Sequence, residues 1–252
     1  MTRLNRALLG TVALLFLCLS PFAFADDPVN LTLVNGGPYT MDGVYVGPYN
    51  FTQNGQSAQL ICDDFKDEVY PGESWTATVT SVSSINNNTT GLMFSGQTAG
   101  GLNLLGATGS FVQGYEAMAY LAGQMLAISG NPQNATQVGY LAYAIWAIFE
   151  GGNVKSYLGN TAAWQTVEAL AAGALQYVEN PKNHVTAASF AGWELLTPTC
   201  TPGGQCPQEY LKYVGVPEGG SALLYLLLAG VSCFGAMRFR LRRPLAMQAN
   251  VQ

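Results

Sequence analysis

Positive charge in this chain gathers at its two ends, and that arrangement dictates what the ends can become. All six arginines, Arg3, Arg6, Arg238, Arg240, Arg242 and Arg243, lie beside an uncharged apolar run. Residues 221–237 carry no charge at all. As a helix rising about 1.5 Å per residue they span roughly 25 Å, near the lower limit for a bilayer core. Arginines are retained on the cytoplasmic side. The order therefore predicts one transmembrane helix at 221–237, a stop-transfer cluster at 238–243 (Arg238, Arg240, Arg242, Arg243) and a cytoplasmic tail at 244–252. A buried core helix is the alternative for so short a segment, and the adjacent arginines weigh against it. At the other end Arg3 and Arg6 precede apolar residues 7–19, and Ala23-Phe24-Ala25 follows. This is the pattern of a signal peptide, residues 1–25, with Ala23 and Ala25 at the cleavage site. Cys18 lies inside the apolar run without the small-residue context of a lipid attachment site, so no lipid anchor is expected.

Between these ends, residues 26–215 are long enough for one domain with a real core. Fourteen acids from Asp26 to Glu209 face only Lys66, Lys155, Lys182 and Lys212, a balance of about −10. Nothing there offers phosphate a basic face, so a nucleic-acid partner is excluded. Export places the domain in an oxidising compartment. Cys200 and Cys206 flank Thr-Pro-Gly-Gly-Gln, a turn-forming sequence that brings them within bonding reach and predicts a disulfide. Cys62 is then left over.

Residues 29–34 (VNLTLV) alternate apolar and polar, the period of a half-buried strand. Residues 44–51, 58–62 and 75–82 also have strand character. A loop-like stretch, 83–110, follows. Helical spacing then appears three times, around 111–125, over 135–149 with Gly151-Gly152 as a stop, and over 161–179. Residues 188–196 and 209–214 return to strand as a long hairpin. The fold class expected is α+β, an antiparallel β core carrying a three-helix insertion.

The order Val216-Pro217-Glu218, apolar helix, arginine cluster resembles the PEP-CTERM sorting signal of Gram-negative bacteria. Here Gly219 replaces the usual second proline, and residues 244–252 extend past the cluster. The resemblance covers residues 216–243. It implies a membrane-embedded exosortase as partner, cutting near Val216, Pro217 and Glu218. The chain would cross the inner membrane, stay transiently anchored by its helix, and pass to the cell surface or outside. It further implies association with exopolysaccharide or biofilm, and a non-enzymatic role.

Inside the domain, Cys62-Asp63-Asp64-Phe65, Thr136-Gln137 and Ala144-Ile145-Trp146 are similar to landmarks of bacterial thioester adhesin domains. That resemblance implies an internal thioester between Cys62 and Gln137, attacked by a nucleophile on the target. In that family the glutamine stands four residues before the tryptophan. Here that position is Ala142, and Gln137, nine residues before Trp146, falls on roughly the opposite helix face. The bland reading is that Cys62 packs as a small hydrophobe.

Other chemistry is sparse. Asp63, Asp64, Asp67 and Glu68 are oxygen donors, but no calcium-loop pattern surrounds them, and a solvated acidic edge is expected. His184 is the single histidine, which excludes multi-histidine metal sites; no G-x-S-x-G elbow accompanies it to suggest a secreted hydrolase. The aromatic residues Tyr115, Tyr120, Tyr140, Tyr143, Trp146 and Trp164 recur at helical spacing, which favours core over a sugar-binding surface. No catalytic residue, metal or cofactor is expected.

Overall fold

The computed structural model of the chain describes residues 28–200 and 206–215. The signal peptide, the Val216-Pro217-Glu218 motif, the membrane helix and the arginine cluster fall outside the described residues. Within them, no helix is long and apolar enough to cross a membrane.

The alternating N-terminal run forms β1 (Val29–Asn35), with Val29, Leu31 and Leu33 buried. Three strands follow the expected pattern closely, namely β3 (Gln56–Cys62), β4 (Ser74–Ser81) and β6 (Tyr210–Tyr213), and β2 (Tyr49–Gln53) precedes β3. β5 (Trp193–Pro198) completes the set. Asn54-Gly55 joins β2 to β3 with φ of 51° and 79°, the left-handed pair that a two-residue hairpin turn requires. The six strands close into a barrel in the order β1-β2-β3-β6-β5-β4, every neighbour antiparallel. The last hairpin, β5–β6, wedges between β3 and β4 and closes the ring. Cys200 and Cys206 are disulfide-bonded across its turn, with Cα atoms 5.0 Å apart.

Two strand boundaries differ from the sequence reading. The run 44–51 is divided at Gly47-Pro48, because proline has no N–H to give a ladder. Val44–Tyr45 pairs instead with Thr40–Met41 in a separate two-stranded ladder. Residues Ala187–Phe190 form a 3-10 turn, fixed by a reciprocal Thr186–Ser189 capping box, so β5 starts only at Trp193.

Three helices lie between β4 and β5 in sequence. α1 (Phe111–Ile128) opens on a Ser110–Gln113 capping box, and α3 (Ala162–Glu179) on Thr161, whose hydroxyl accepts from the Trp164 N–H. α2 (Ala135–Leu158) runs through the glycine pair expected to end it. The backbone kinks at Glu150 (φ −111°, ψ 28°) and continues to Gly159 (φ 67°). Gly151 is needed for close approach, since a Cβ there would sit 3.3 Å from that of Asn103. From Leu141 to Ile148 every residue of α2 is buried, so it is the central helix, enclosed by α1, α3 and the barrel.

Gly114 marks the tightest helix contact. A Cβ there would meet the Phe149 ring at 2.3 Å and Ala99 at 2.9 Å, and Phe149 is itself stacked on Phe94 at 4.5 Å. Helix propensity alone favours alanine over glycine by about 1 kcal/mol. We expect the opposite sign at this position: Gly114→Ala loses about 1–3 kcal/mol in urea unfolding, as overpacking does. A neutral or stabilised variant would show that the contact yields.

Candidate functional site

The site is built where β3 leaves the barrel. Its pairing with β6 ends at Cys62 opposite Tyr210, and the next N–H, that of Asp63, donates to the Glu209 carbonyl at 3.3 Å. The Cys62 carbonyl accepts from Trp146 Nε1–H of α2 at 3.0 Å. Its thiol, buried and free of any disulfide, donates to the Asp64 carbonyl at 3.0 Å. Burial first, then the carboxyl groups of Asp64 and Asp63, push the thiol well above its usual range. Cys62 is therefore a neutral thiol at physiological pH, a weak nucleophile as it stands.

Beside it lies a buried acid node. Glu209, fully buried, accepts from Tyr115 O–H of α1 at 2.7 Å, from the Met93 N–H at 3.2 Å and from the Thr197 hydroxyl of β5. Tyr115 in turn accepts from the Phe94 N–H at 3.1 Å. Asp63, equally buried, lies close to Glu209, and neither of its carboxyl oxygens has a hydrogen-bond partner. Burial, then the Glu209 charge, raise the Asp63 carboxyl well above the carboxylate range. Burial raises the Glu209 carboxyl too, against the pull of its Thr197, Tyr115 and Met93 donors, and a proton kept on Asp63 spares the pair a second buried charge. Asp64, 2% exposed, is also raised, to about 7, by burial first and by Glu150 next. Its Oδ1 accepts from the Lys66 and Asp67 N–H groups, while Oδ2 is buried without a partner.

Over this floor opens a cleft of about 530 Å³ between the 43–49 and 64–71 segments and α2. Trp146 and Tyr49 lie at its base. Phe65 packs against Trp146 at 5.3 Å and Tyr157 at 5.4 Å between ring centroids. Tyr45, Tyr70 and Tyr157 stand half-exposed at the rim. Two of these rings are tied by their hydroxyls, Tyr157 to the Asp42 carbonyl and Tyr70 to Glu68, each at 2.6 Å. A second cleft of about 430 Å³ lies on the other side of Asp64, against Phe149, Glu150 and Asn153. Asp64 is thus a wall shared by both.

Several residues singled out in the sequence are placed otherwise. Gln137 is exposed in the first turn of α2, nine residues and about 13 Å of helix rise before Trp146. The structure does not bring it to Cys62; buried Ala142 occupies the face shared with Trp146. The glutamine that does approach is Gln208. Its Nε2 donates to the same Asp64 carbonyl as the Cys62 thiol, at 3.0 Å, and its Oε1 accepts from Tyr210 O–H at 2.9 Å. Asp63 and Asp64 are not a solvated edge, because β3 delivers them straight into the interior; Asp67 and Glu68 remain at the surface. His184 is exposed in a left-handed turn and lines neither cleft. Among the described residues no group of three or more His, Cys, Asp or Glu is arranged to hold a metal ion. Of the helical aromatics, Tyr115, Tyr143 and Trp164 are core, whereas Trp146 does double duty as cleft floor. Glu209, Gln208 and Tyr157 were missed. For Gln208 and Glu209 the only sequence signal is an amide and an acid beside the apolar residues that start β6.

No family model and no curated protein matches the chain. Among solved structures it is similar to the N-terminal thioester domain of a protein F2-like fibronectin-binding protein from Streptococcus pneumoniae. The match has a TM-score of 0.36 and 10% identity, over 76% of this chain and 94% of that one. A likeness so distant assigns no residue here a role.

The raised acids set the pH response of stability. A carboxyl whose folded value lies above its unfolded one stabilises fully below about pH 4, and that contribution is lost as pH rises through the folded value. For Asp64 the loss falls between about pH 4 and 7, and Asp63, also raised, extends it upward. The melting temperature should therefore fall from pH 5 to 8, by on the order of 5–10 °C. Asp63→Asn, which keeps a donor towards Glu209 but has no proton to lose, should flatten the slope. A melting profile that rose over this range would contradict the assignment.

Proposed function

We propose that this is an exported cell-surface or extracellular-matrix protein whose folded part binds a polymeric ligand in the aromatic cleft without chemical turnover. The observation that carries the binding role is the cleft itself. Aromatic rings line its floor and rim, and two of the three rim tyrosines, Tyr70 and Tyr157, are held by their own hydroxyls, so their faces are preorganised at little entropic cost. Sugar rings present apolar C–H faces and ring hydroxyls, which suits tyrosine faces flanked by Asp67 and Glu68. Exopolysaccharide is the ligand class this favours. The export half of the reading is supported by the termini alone: the signal-peptide pattern at 1–25 and the Val216-Pro217-Glu218, apolar, arginine order at the other end. An exosortase would be the sorting partner.

Two measurements test the two halves. Fractionation of cells making the chain truncated after Gly215 should find it released, while the full chain passes through the membrane fraction; a truncated protein that stayed membrane-bound would remove the sorting signal. Retention on matrix polysaccharide should drop about tenfold for Tyr157→Ala or Tyr70→Ala, the loss of one ring contact of about 1–1.5 kcal/mol. Unchanged retention in the double variant would sink the cleft as the binding site.

A second reading rests on the convergence of Cys62 and Gln208. In a covalent adhesin the Cys62 thiol would add to the Gln208 carboxamide carbon, ammonia would leave, and a thioester would remain for attack by a nucleophile on the target. Tyr210 O–H, already on the carboxamide oxygen at 2.9 Å, is placed to stabilise the developing oxyanion. The intact mature protein would then weigh one ammonia less than its sequence and react with methylamine. Gln208→Ala would abolish this and Gln137→Ala would not. A full sequence mass with a titratable thiol after unfolding eliminates the reading.

A further inference from the structure

The barrel closes through one short junction. β3 and β6 pair at two positions, Ile61 with Leu211 and Cys62 with Tyr210. Residues 56–60 of β3 pair with β2 along one edge; along the other they face no strand among the described residues. Lys212 and Tyr213 continue along β5 and leave β3 behind. Between the diverging strands opens a cleft of about 590 Å³, lined by the β2–β3 hairpin, by Lys212 and Tyr213, and by Leu126 of α1. Register decides which main-chain groups face it. A two-residue hairpin closes on a hydrogen-bonded pair, here Gln53 with Gln56, and bonded pairs alternate along an antiparallel ladder. Gln56, Ala58 and Leu60 therefore turn their N–H and C=O groups to β2, whereas Ser57 and Gln59, both exposed, turn theirs to the cleft. The Asn54 N–H, donating to the Asn30 carbonyl of β1 at 2.8 Å, has the sense this phase requires. Two donors and two acceptors thus stand at strand spacing on an open edge, a template for another strand.

The walls set what the side chains of such a strand meet. Tyr213 and Lys212, consecutive on β6, point to opposite faces of the sheet. Lys212 shares the face of Tyr210, which packs on Phe51 inside the barrel, and its Nζ donates to Gln53 Oε1 at 2.6 Å. Tyr213 shares the face of Trp193, with ring centroids 5.2 Å apart, and a Cβ on Gly123 of α1 would lie 3.7 Å from the Trp193 ring. Leu126 of α1 and the half-exposed Tyr213 therefore make an apolar wall on one face, and Lys212 places a cation on the other. Glu194 stands 4.0 Å from Lys212 Nζ. No acid lines this cleft, in contrast to the two that share Asp64. We infer that the seam between β3 and β6 takes an extended acidic peptide of a partner protein as an added strand. Its main chain pairs with Ser57 and Gln59, its apolar side chains lie over Leu126 and Tyr213, and its carboxylates point to Lys212. The ladder of main-chain groups selects a polypeptide over a sugar chain, and the acid-free lining with its one cation selects carboxylate over ammonium. This site shares no lining residue with the aromatic cleft and does not depend on it.

The probe is a labelled heptapeptide with blocked ends that alternates valine and glutamate, and its counterpart alternates valine and lysine. Each is titrated into the full-length chain in mild detergent and followed by fluorescence anisotropy. Saturable binding is expected, at least about tenfold tighter for the glutamate form. Methylating the backbone nitrogens of the valines in one version of the probe, and of the glutamates in another, should abolish binding in at least one of the two, because strand pairing needs those donors. Lys212→Gln should level the glutamate and lysine probes. Ser57→Pro removes an N–H that β2 does not use, so it should weaken the glutamate probe by about tenfold while cooperative melting survives. If that variant fails to fold, the methylated probes carry the same test. No binding of either probe, equal binding of the two by the wild type, a preference that survives Lys212→Gln, or binding untouched in both methylated versions overturns the proposal. So does a wild-type chain that sediments as a dimer and loses the dimer in Ser57→Pro, since the seam then belongs to a second copy.

Discussion

One buried carboxyl group, Glu209, sits where five parts of the chain meet. Its donors come from α1, from the 92–94 loop and from β5, its own backbone carbonyl takes the Asp63 N–H, and it immediately precedes β6. Burying a charge is tolerable only when every lone pair finds a donor, and such a set is available in one arrangement of these elements. The node therefore couples two architectural facts that are otherwise separate. Barrel closure by β6 and the docking of the helical block on the barrel succeed or fail together. Burial and the Glu209 charge favour a proton on Asp63, so two acids can lie close together in the interior.

The consequences reach the cleft. Because Asp63 is drawn inward, Asp64 is held at the boundary between interior and solvent, and the chain turns there to place Phe65 against Trp146 and Tyr157. Trp146 is fixed from below by the Cys62 carbonyl. The aromatic floor is thus positioned by the same exit from β3 that feeds the acid node. A core polar network and an open surface site share one strand end.

Much of this fold was legible in the residues. Alternation at 29–34 and 75–82 reported strands with one buried face, and the spacing of Phe111, Tyr115, Met118 and Met125 reported a helix with one buried face. α2 was harder. It is enclosed on all sides, so its middle shows no polar face to fix a period, and a Gly-Gly pair that reads as a stop proved to be a close-packing contact with Asn103. The site was less legible still. Cys62, Asp63, Asp64 and Trp146 stand out in the sequence, but their partners Gln208 and Glu209 arrive some 145 residues later, on the far side of the helical block. Local pattern carries no information about which acid meets which. The closure of the sheet into a barrel, set by the wedging of the last hairpin between β3 and β4, is a long-range fact of the same kind.

The position of β6 also has a mechanical meaning. A pull applied to the chain beyond Gly215 reaches β6 before any other strand, since Tyr213 is the last strand residue before that point. β6 is laced to β5 through four residue pairs and to β3 through two, so both ladders must open before it leaves the barrel. The Cys200–Cys206 bond lies directly behind it and stops a detached strand from paying out the turn of the hairpin. Releasing β6 would also drag Glu209 from its donors and leave a polar group unpaired in a half-open interior. Load borne through this end is resisted by a short strand that is paired on both sides and tied to the buried Glu209, and the resistance is a barrier to unfolding rather than a measure of equilibrium stability.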